Sequence, residues 1–226
     1  MNNSKSNITD MTFGSPSKHI LIFAVPLLIG NLFQQLYNMV DSLIVGNFVG
    51  ANALASVGTC GSVSFLFFSL SSGLALGIGI IVAQYFGAKN EEKVRHTIGN
   101  SFYVLIAASL VVSLIGIFFS PFIMTLLQCP DIIRKDAITY LRTSCYGIVF
   151  IALYNGVAAI LRALGDSKTP LYFLILSSIV NVVLDLVFVL CFDWAVFGVA
   201  FATVVSQAVS AIASLIARIF MVVFLY

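Results

Sequence analysis

The sequence predicts an all-α polytopic membrane protein with six transmembrane helices, and three observations carry that prediction. Of 226 residues, 60% are hydrophobic and only 9% charged, against roughly 45–50% and 25% in soluble domains. Eleven Lys and Arg with nine Asp and Glu cannot clothe a soluble surface of this size in solvated charge. The apolar residues gather in six runs, each close to or above the roughly 20 residues that cross a bilayer core as a helix. Such runs are much longer than the roughly 10-residue alternating segments of a membrane barrel. A soluble enzyme and a nucleic-acid binder are thereby excluded, and a scattered net charge of +2 offers no phosphate-binding surface.

The elements follow in order. Residues 1–19 are polar and rich in Ser, Asn and Thr. They lack the basic start, short apolar core and cleavage site of a signal peptide, and read as a cytosolic tail. The remainder, 20–226, reads as one six-helix bundle, since no composition shift or fixed-period repeat divides it. The first span, 20–45, is long enough to bend or tilt, and Pro26 removes one backbone hydrogen bond and predicts a kink. The second, 57–86, holds Ser69, Gly73, Gly77 and Gly79, a small-residue pattern with GxxxG spacing that predicts close helix contact. The third and fourth cover 97–119 and 137–161, the latter with Asn155 inside it. The fifth and sixth cover 171–192 and 196–217. Cys60, Cys129, Cys145 and Cys191 show neither CxxC spacing nor His companions, so they read as small packing residues rather than a metal or redox motif.

Orientation follows from the basic residues in the connections. Lys5, Lys18, Lys89, Lys93, Arg95, Arg162, Lys168 and Arg218 fall on one side, and Arg134, Lys135 and Arg142 on the other. Eight against three predicts a multi-pass protein of the cytoplasmic membrane with both termini in the cytosol.

Polar residues inside spans are costly and normally face protein or water. At about 100° per residue, Asn31, Gln34, Gln35, Asn38, Asp41 and Ser42 fall within an arc of about 120° on the first helix. Ser177, Ser178, Asn181 and Asp185 share about 100° of the fifth, as do Thr203, Ser206, Gln207, Ser210 and Ser214 of the sixth. The rise per residue places Asp41 near the outer end of its helix, Asp185 about 21 Å from the inner end, and Thr203 about 10 Å from the outer end. Asp41 and Asp185 are the only carboxylates inside the predicted spans. They are expected to share a hydrated pocket with Asn181 and Thr203. Individually, the Ser and Thr residues more often bond to a neighbouring helix or to the preceding turn. Gln34, Tyr37, Asn38, Asn155, Ser206 and Gln207 are the expected cavity lining, with Asn155 deeper toward the cytosol.

A carboxyl that loses water can load and release a proton, since burial disfavours its charge. The Asp oxygens, the Asn181 carbonyl and the Thr203 hydroxyl also offer the hard oxygen ligands that Na⁺ takes. Both readings give an ion-coupling site needing no organic cofactor, with H⁺ or Na⁺ as the ion.

The chain resembles the N-terminal lobe of the multidrug and toxic compound extrusion (MATE) transporters, prokaryotic type, over nearly its whole length. The resemblance rests on Pro26-Leu27-Leu28-Ile29-Gly30-Asn31 leading to Asp41 and Val45-Gly46, and on Gln84-Tyr85-Phe86-Gly87-Ala88-Lys89. It rests above all on Leu161-Arg162-Ala163-Leu164-Gly165-Asp166-Ser167-Lys168-Thr169-Pro170. It implies that Asn181, Asp185 and Thr203, with Asp41, form the cation or proton site. It further implies alternating-access antiport that exports organic cations, with two six-helix lobes enclosing the substrate cavity. Only one lobe is expected here, so the chain is read as a fragment or as a half-length subunit that dimerises.

Three rivals are weaker. An intramembrane enzyme lacks its machinery: Gly99-Asn100-Ser101-Phe102 only superficially offers a nucleophile string, and His19 and His96 lie outside the spans. A lipid-linked oligosaccharide flippase of the same superfamily would want basic groups in its cavity, and Arg142 is the only one within a predicted span. A channel, or a lobe serving only in assembly, would not couple ions to substrate. The partners expected are membrane lipid, a small organic substrate and a second lobe, with no nucleic acid.

Overall fold

A computed structural model describes the backbone of residues 16–225 and the side chains of residue 21 and residues 24–216. Most of the tail read at 1–19, and the Lys5, Lys18 and Arg218 side chains counted for orientation, lie outside the described residues. The described chain is all-helical. Helices α1 (Pro16–Ile44), α2 (Ala51–Gly87), α3 (Glu91–Leu126), α4 (Asp131–Ala163), α5 (Lys168–Leu186) and α6 (Ala195–Leu225) follow one another through short connections. α1 and α5 each run on into a π-helical turn, Val45–Val49 and Val187–Cys191.

Each expected span is covered largely by a helix, and every helix begins before the apolar run that announced it. Polar side chains cap two of these early starts. Asn90 Oδ1 accepts the backbone N–H of Lys93 at the start of α3, with Glu91 and Glu92 in the first turn against the positive helix end. Asp166 does the same for α5, taking the N–H groups of Lys168 and Thr169, both at 3.0 Å, and the Thr169 hydroxyl. The Gly165-Asp166-Ser167-Lys168-Thr169-Pro170 run is therefore a joint: Gly165 turns the chain at φ 93°, and Asp166 restarts the helix. Tyr154 of α4 fastens it, donating to the Pro170 carbonyl at 2.9 Å.

Among the described residues, α2, α3, α4, α5 with its π turn, and α6 to Ile216 are long and apolar enough to cross a membrane by length and composition. α1 is 29 residues long, and most side chains of its first two turns lie outside the described residues.

α4 is the hub, packing against α2, α3 and α6, while α1 joins the bundle through α5, which packs on α6. In the membrane-length window of α4 56% of residues are buried, against 22% in α2, α3 and α5, so those three leave most of their surface uncovered by the rest of the described chain. Close approach relies on missing side chains. A Cβ on Gly156 of α4 would lie 2.3 Å from Leu105 of α3, and one on Gly116 of α3 would lie 2.3 Å from Cys145 Sγ and 3.0 Å from the Phe67 ring. The GxxxG reading of α2 is corrected here: nothing lies within 4 Å of a Cβ built on Gly73 or Gly77, and only Gly79 meets a helix, at Ala159. The spacing was right for contact, but that face of α2 is turned away from α4.

Small hydroxyls join the helices. Ser56 donates to Ile133 O, Ser113 to Cys145 O, Ser177 to Ser206 O and Ser210 to Phe173 O. Pro121 within α3 withholds the N–H that would have reached the Ile117 carbonyl. Arg142 of α4 replaces it, its Nε lying 3.3 Å from Ile117 O and 2.8 Å from Ser120 Oγ. Pro26 sits inside α1 with helix on both sides of it.

Gly116→Ala is expected to cost about 1–3 kcal/mol, because the Cys145 thiol and Phe67 ring must both move. Gly77→Ala, with open space around it, is expected to change stability by under about 1 kcal/mol and in the favourable direction. Thermal unfolding of the two variants in one detergent checks the contrast; equal losses would contradict the packing described.

Candidate functional site

Three helices converge on one buried polar cluster. α1 supplies Tyr37 and Asp41, one turn apart; α5 supplies Asn181 and Asp185, also one turn apart; α6 supplies Thr203. Asp41 is 8% exposed, Asn181 1% and Asp185 not at all. The i, i+4 spacing stacks each pair along one helix face. Gly30 faces α5, where a Cβ would sit in ordinary van der Waals contact with Leu171 and Leu174 at 3.5–3.6 Å.

Thr203 Oγ1 is the junction. It accepts from the Tyr37 hydroxyl at 3.5 Å and from Asn181 Nδ2 at 3.4 Å, and donates to the Val199 carbonyl at 3.1 Å. The acceptors around it are unsatisfied. Oδ1 of Asp41, Oδ1 of Asn181 and both oxygens of Asp185 are buried without a hydrogen-bond partner. The Asp41 and Asp185 carboxyls are near enough to act on each other's charge, yet neither Asp185 oxygen is paired by hydrogen-bond geometry. Four buried acceptors without donors make this cluster electronegative.

The polar cluster is closed on one side by apolar packing. Ile44 and Val45 at the end of α1, Val189 in the π turn after α5, Ala53, and Val196 and Val199 of α6 form one buried cluster. Each carboxylate thus sits a few residues before a π-helical turn, and the two turns touch. Such turns leave part of the regular backbone ladder out of register.

The polar stripe of α1 divides in two. Gly30 and Asp41 are buried and Gln34 and Tyr37 half-buried, whereas Asn31, Gln35, Asn38 and Ser42 lie on the adjacent face and are exposed. The expected lining divides as well. Tyr37 joins the cluster; Gln34 and Gln207 are half-buried; Asn38 is exposed. Ser206 belongs to the α5–α6 contact, its hydroxyl donating to Thr203 O while its carbonyl accepts from Ser177. Asn155 lies between α4 and α2, its Nδ2 3.3 Å from Ser72 Oγ.

The sequence reading missed Tyr140 of α4, which packs against the Ile44, Val45 and Val189 cluster next to the site. A signal was present. Tyr140, Ser144 and Asn155 fall within about 60° of one another at 100° per residue, a polar line on the fourth span like those on the other three.

Thr203→Ala removes the acceptor shared by Tyr37 and Asn181 and is expected to destabilise the chain by about 1–3 kcal/mol. Thr203→Ser should recover most of that loss. Chemical denaturation in detergent tests the pair, and an Ala variant as stable as the original would remove Thr203 from its place as junction.

The residues matched by the family described as MatE are 26–187, which include both carboxylates. The chain is 34% identical over 202 residues to the probable multidrug resistance protein YpnP of Bacillus subtilis (strain 168), covering 89% of this chain and 45% of that protein. It is 24% identical over 195 residues to the multidrug export protein MepA of Staphylococcus aureus (strain MRSA252), covering 86% and 43%. Among solved structures, the outward-facing conformation of a multidrug resistance MATE family transporter of the MOP superfamily superposes with a TM-score of 0.84 at 27% identity, over 89% of this chain and 44% of that one. The chain thus spans less than half the length of each of these proteins.

Proposed function

The chain belongs to the MATE family, and we propose that it is one lobe of an ion-coupled exporter of small organic compounds, with Asp41, Asn181, Asp185 and Thr203 binding the coupling cation. The observation that carries this reading is the set of four buried acceptor oxygens that no donor reaches. Each unpaired buried acceptor costs about 1–3 kcal/mol, and more if it is charged. A single cation at their centre relieves all four together. Na⁺ does so as a hard ion among oxygen ligands; a proton does so by making one carboxyl a donor to the other. Either ion cancels the repulsion between the two carboxylates, so its arrival and departure change the packing preference of α1 against α5 and α6.

The export half of the proposal draws on the relatives, whose names speak of multidrug resistance and export. Aromatic and carboxylate groups suit organic cations by cation–π and Coulomb attraction. The exposed row Asn31, Gln35, Asn38 and Ser42 is unsuited to lipid, and in this reading it faces the substrate path, beside Gln34 and Gln207. Alternating access rocks one repeat against another, so a second lobe, from a longer chain or from another copy, completes the transporter. The bias of basic residues supports an orientation with both ends in the cytosol, Lys89 inside and Lys135 outside.

In a two-lobe assembly, Asp41→Asn and Asp185→Asn should each preserve membrane insertion and abolish ion-driven export, measured as substrate efflux from proteoliposomes under imposed Na⁺ or pH gradients. Undiminished export by both variants would refute the site. Protons and Na⁺ compete for the same oxygens, so Na⁺ titrations of the purified chain should show weaker binding as pH falls. Single cysteines placed at the exposed positions 88 and 128 should react with a membrane-impermeant thiol reagent from the cytosolic and the outer face respectively; the reverse pattern would overturn the orientation.

A further inference from the structure

α5 with its π turn and α6 are each long and apolar enough to cross a membrane, and residues 192–194 alone join them. Five aromatic rings form one crest at this hairpin. Trp194 stacks on Phe188 with centroids 5.1 Å apart, Phe192 lies 5.3 Å from Trp194, and Phe197 stacks on Phe201 at 5.7 Å. Trp194 joins the two groups, 5.6 Å from Phe197. The backbone is bent to assemble them. Asp193 and Ala195 take φ of 54° and 42°, uncommon for residues with a side chain, and the Trp194 N–H returns to the Phe188 carbonyl at 3.0 Å. Gly198 leaves the necessary room, since a Cβ there would lie 3.0 Å from Cβ of Trp194 and 3.1 Å from Cβ of Phe188. Even so, Phe192, Trp194 and Phe197 remain exposed.

The two sides of the crest indicate what covers it. On one side Asp193 is exposed in the connection, and a carboxylate there requires water. On the other side runs α6, where Phe197 and Phe201 lie about 120–180° around the helix from Thr203, Ser206 and Ser210. The rings therefore stand opposite the polar stripe. Ile212 and Ile216, both exposed, continue the aromatic side, within about 60° of Phe201. This face is aliphatic along its length, aromatic at its end and charged just beyond, the profile of a bilayer from hydrocarbon through headgroup boundary to water. A water-filled path would leave the isoleucines wet. No Lys or Arg lies between Lys168 and Arg218, so no basic side chain of this hairpin can hold it at the boundary, and the rings are the remaining anchor.

We propose that the aromatic crest where α5 meets α6 is seated in the headgroup boundary with phospholipid as its partner, so that the α6 face from Phe197 to Ile216 meets acyl chains and is not the face on which a second lobe packs. The seat depends on the membrane-spanning fold and is independent of the cation site and of which leaflet the hairpin enters. Its consequence for assembly is directional: the second lobe meets the chain through another face.

Trp194 is the only tryptophan of the chain and serves as a native probe. In a two-lobe assembly where it is also the sole tryptophan, reconstituted in phospholipid, bromine near the headgroup end of the acyl chains should quench its emission roughly twofold more than bromine near their tails, because half the core thickness, about 15 Å, separates the two depths. Stronger quenching by tail bromine would overturn the boundary position. Quenching by aqueous iodide without any by brominated lipid would put the crest on a water-filled path, and quenching by neither would put it under the second lobe or another copy; both results refute the proposal. A second measurement leaves the rings untouched. Nitroxides are attached in separate chains to the native, exposed Cys191 and to a cysteine at the exposed position 212, with the remaining cysteines replaced. Phe197 to Ile212 is about 22 Å along the helix, which keeps position 212 within a core about 30 Å thick. The label on Cys191 should relax with both oxygen and a water-soluble nickel chelate, and the label at 212 with oxygen alone. Relaxation by the chelate at 212, or by neither agent there, would overturn the lipid-facing assignment of α6.

Discussion

Two carboxylates held out of water in one helical bundle are the condition around which the rest of the chain is arranged. Asp41 and Asp185 are buried side by side, and an unneutralised pair of that kind in hydrocarbon would be among the costliest features a membrane protein could carry. The surrounding structure is fitted to that cost. α1 and α5 each bring a carboxylate with a polar companion one turn away, α6 adds the Thr203 junction, and valines seal one side. α2 and α3 take no ligand position in the cluster. They pack on α4, which carries α6 on its other side, so the charged assembly rests against a scaffold that is itself largely uncharged.

A second constraint is that lipid offers no hydrogen bonds, so every deviation from regular helix needs an internal remedy. The remedies are local and cheap. A serine on one helix finds a carbonyl on the next, Arg142 answers the carbonyl that Pro121 leaves free, and Asp166 caps the helix that begins beside it. Against this background the four unanswered oxygens of the cluster and the unanswered Ser64 hydroxyl stand apart. In a chain that pairs its polar groups so consistently, the unpaired oxygens of the cluster are the feature on which the proposed ion site rests.

Much of this was legible in the sequence, for a physical reason. Helix periodicity turns spacing into direction, so Asn181 and Asp185, or Tyr37 and Asp41, could be placed on shared faces before any helix was positioned against another. Pairing between helices was less legible. Gly73 and Gly77 had the spacing for contact and face open space, while Gly116 and Gly156, which carry the α3–α4 contact, belong to no motif. Ser206 had the right angle for a cavity, and its part in the α5–α6 contact was not legible from that angle. Tyr140 escaped notice because an aromatic side chain in an apolar run looks like core until its neighbours are known. The joint at Gly165 and Asp166 shows the converse: a family-specific run whose residues do structural work, with chemistry carried elsewhere.

The polarity of α1 has a consequence for biosynthesis. α1 leaves the ribosome before α5 and α6, the helices that answer its polar face; Tyr37 and its partner Thr203 are 166 residues apart in the chain. During that interval Asn31, Gln34, Asn38 and Asp41 have no completed bundle to meet them. A helix with this many polar residues partitions into lipid less readily than a wholly apolar one, so it gains from being retained at the insertion machinery, or shielded by a chaperone, until α5 is made. Assembly of the charged cluster is then the closing step of the lobe's maturation, and quality control could read the lodging of α1 as the sign of a finished fold.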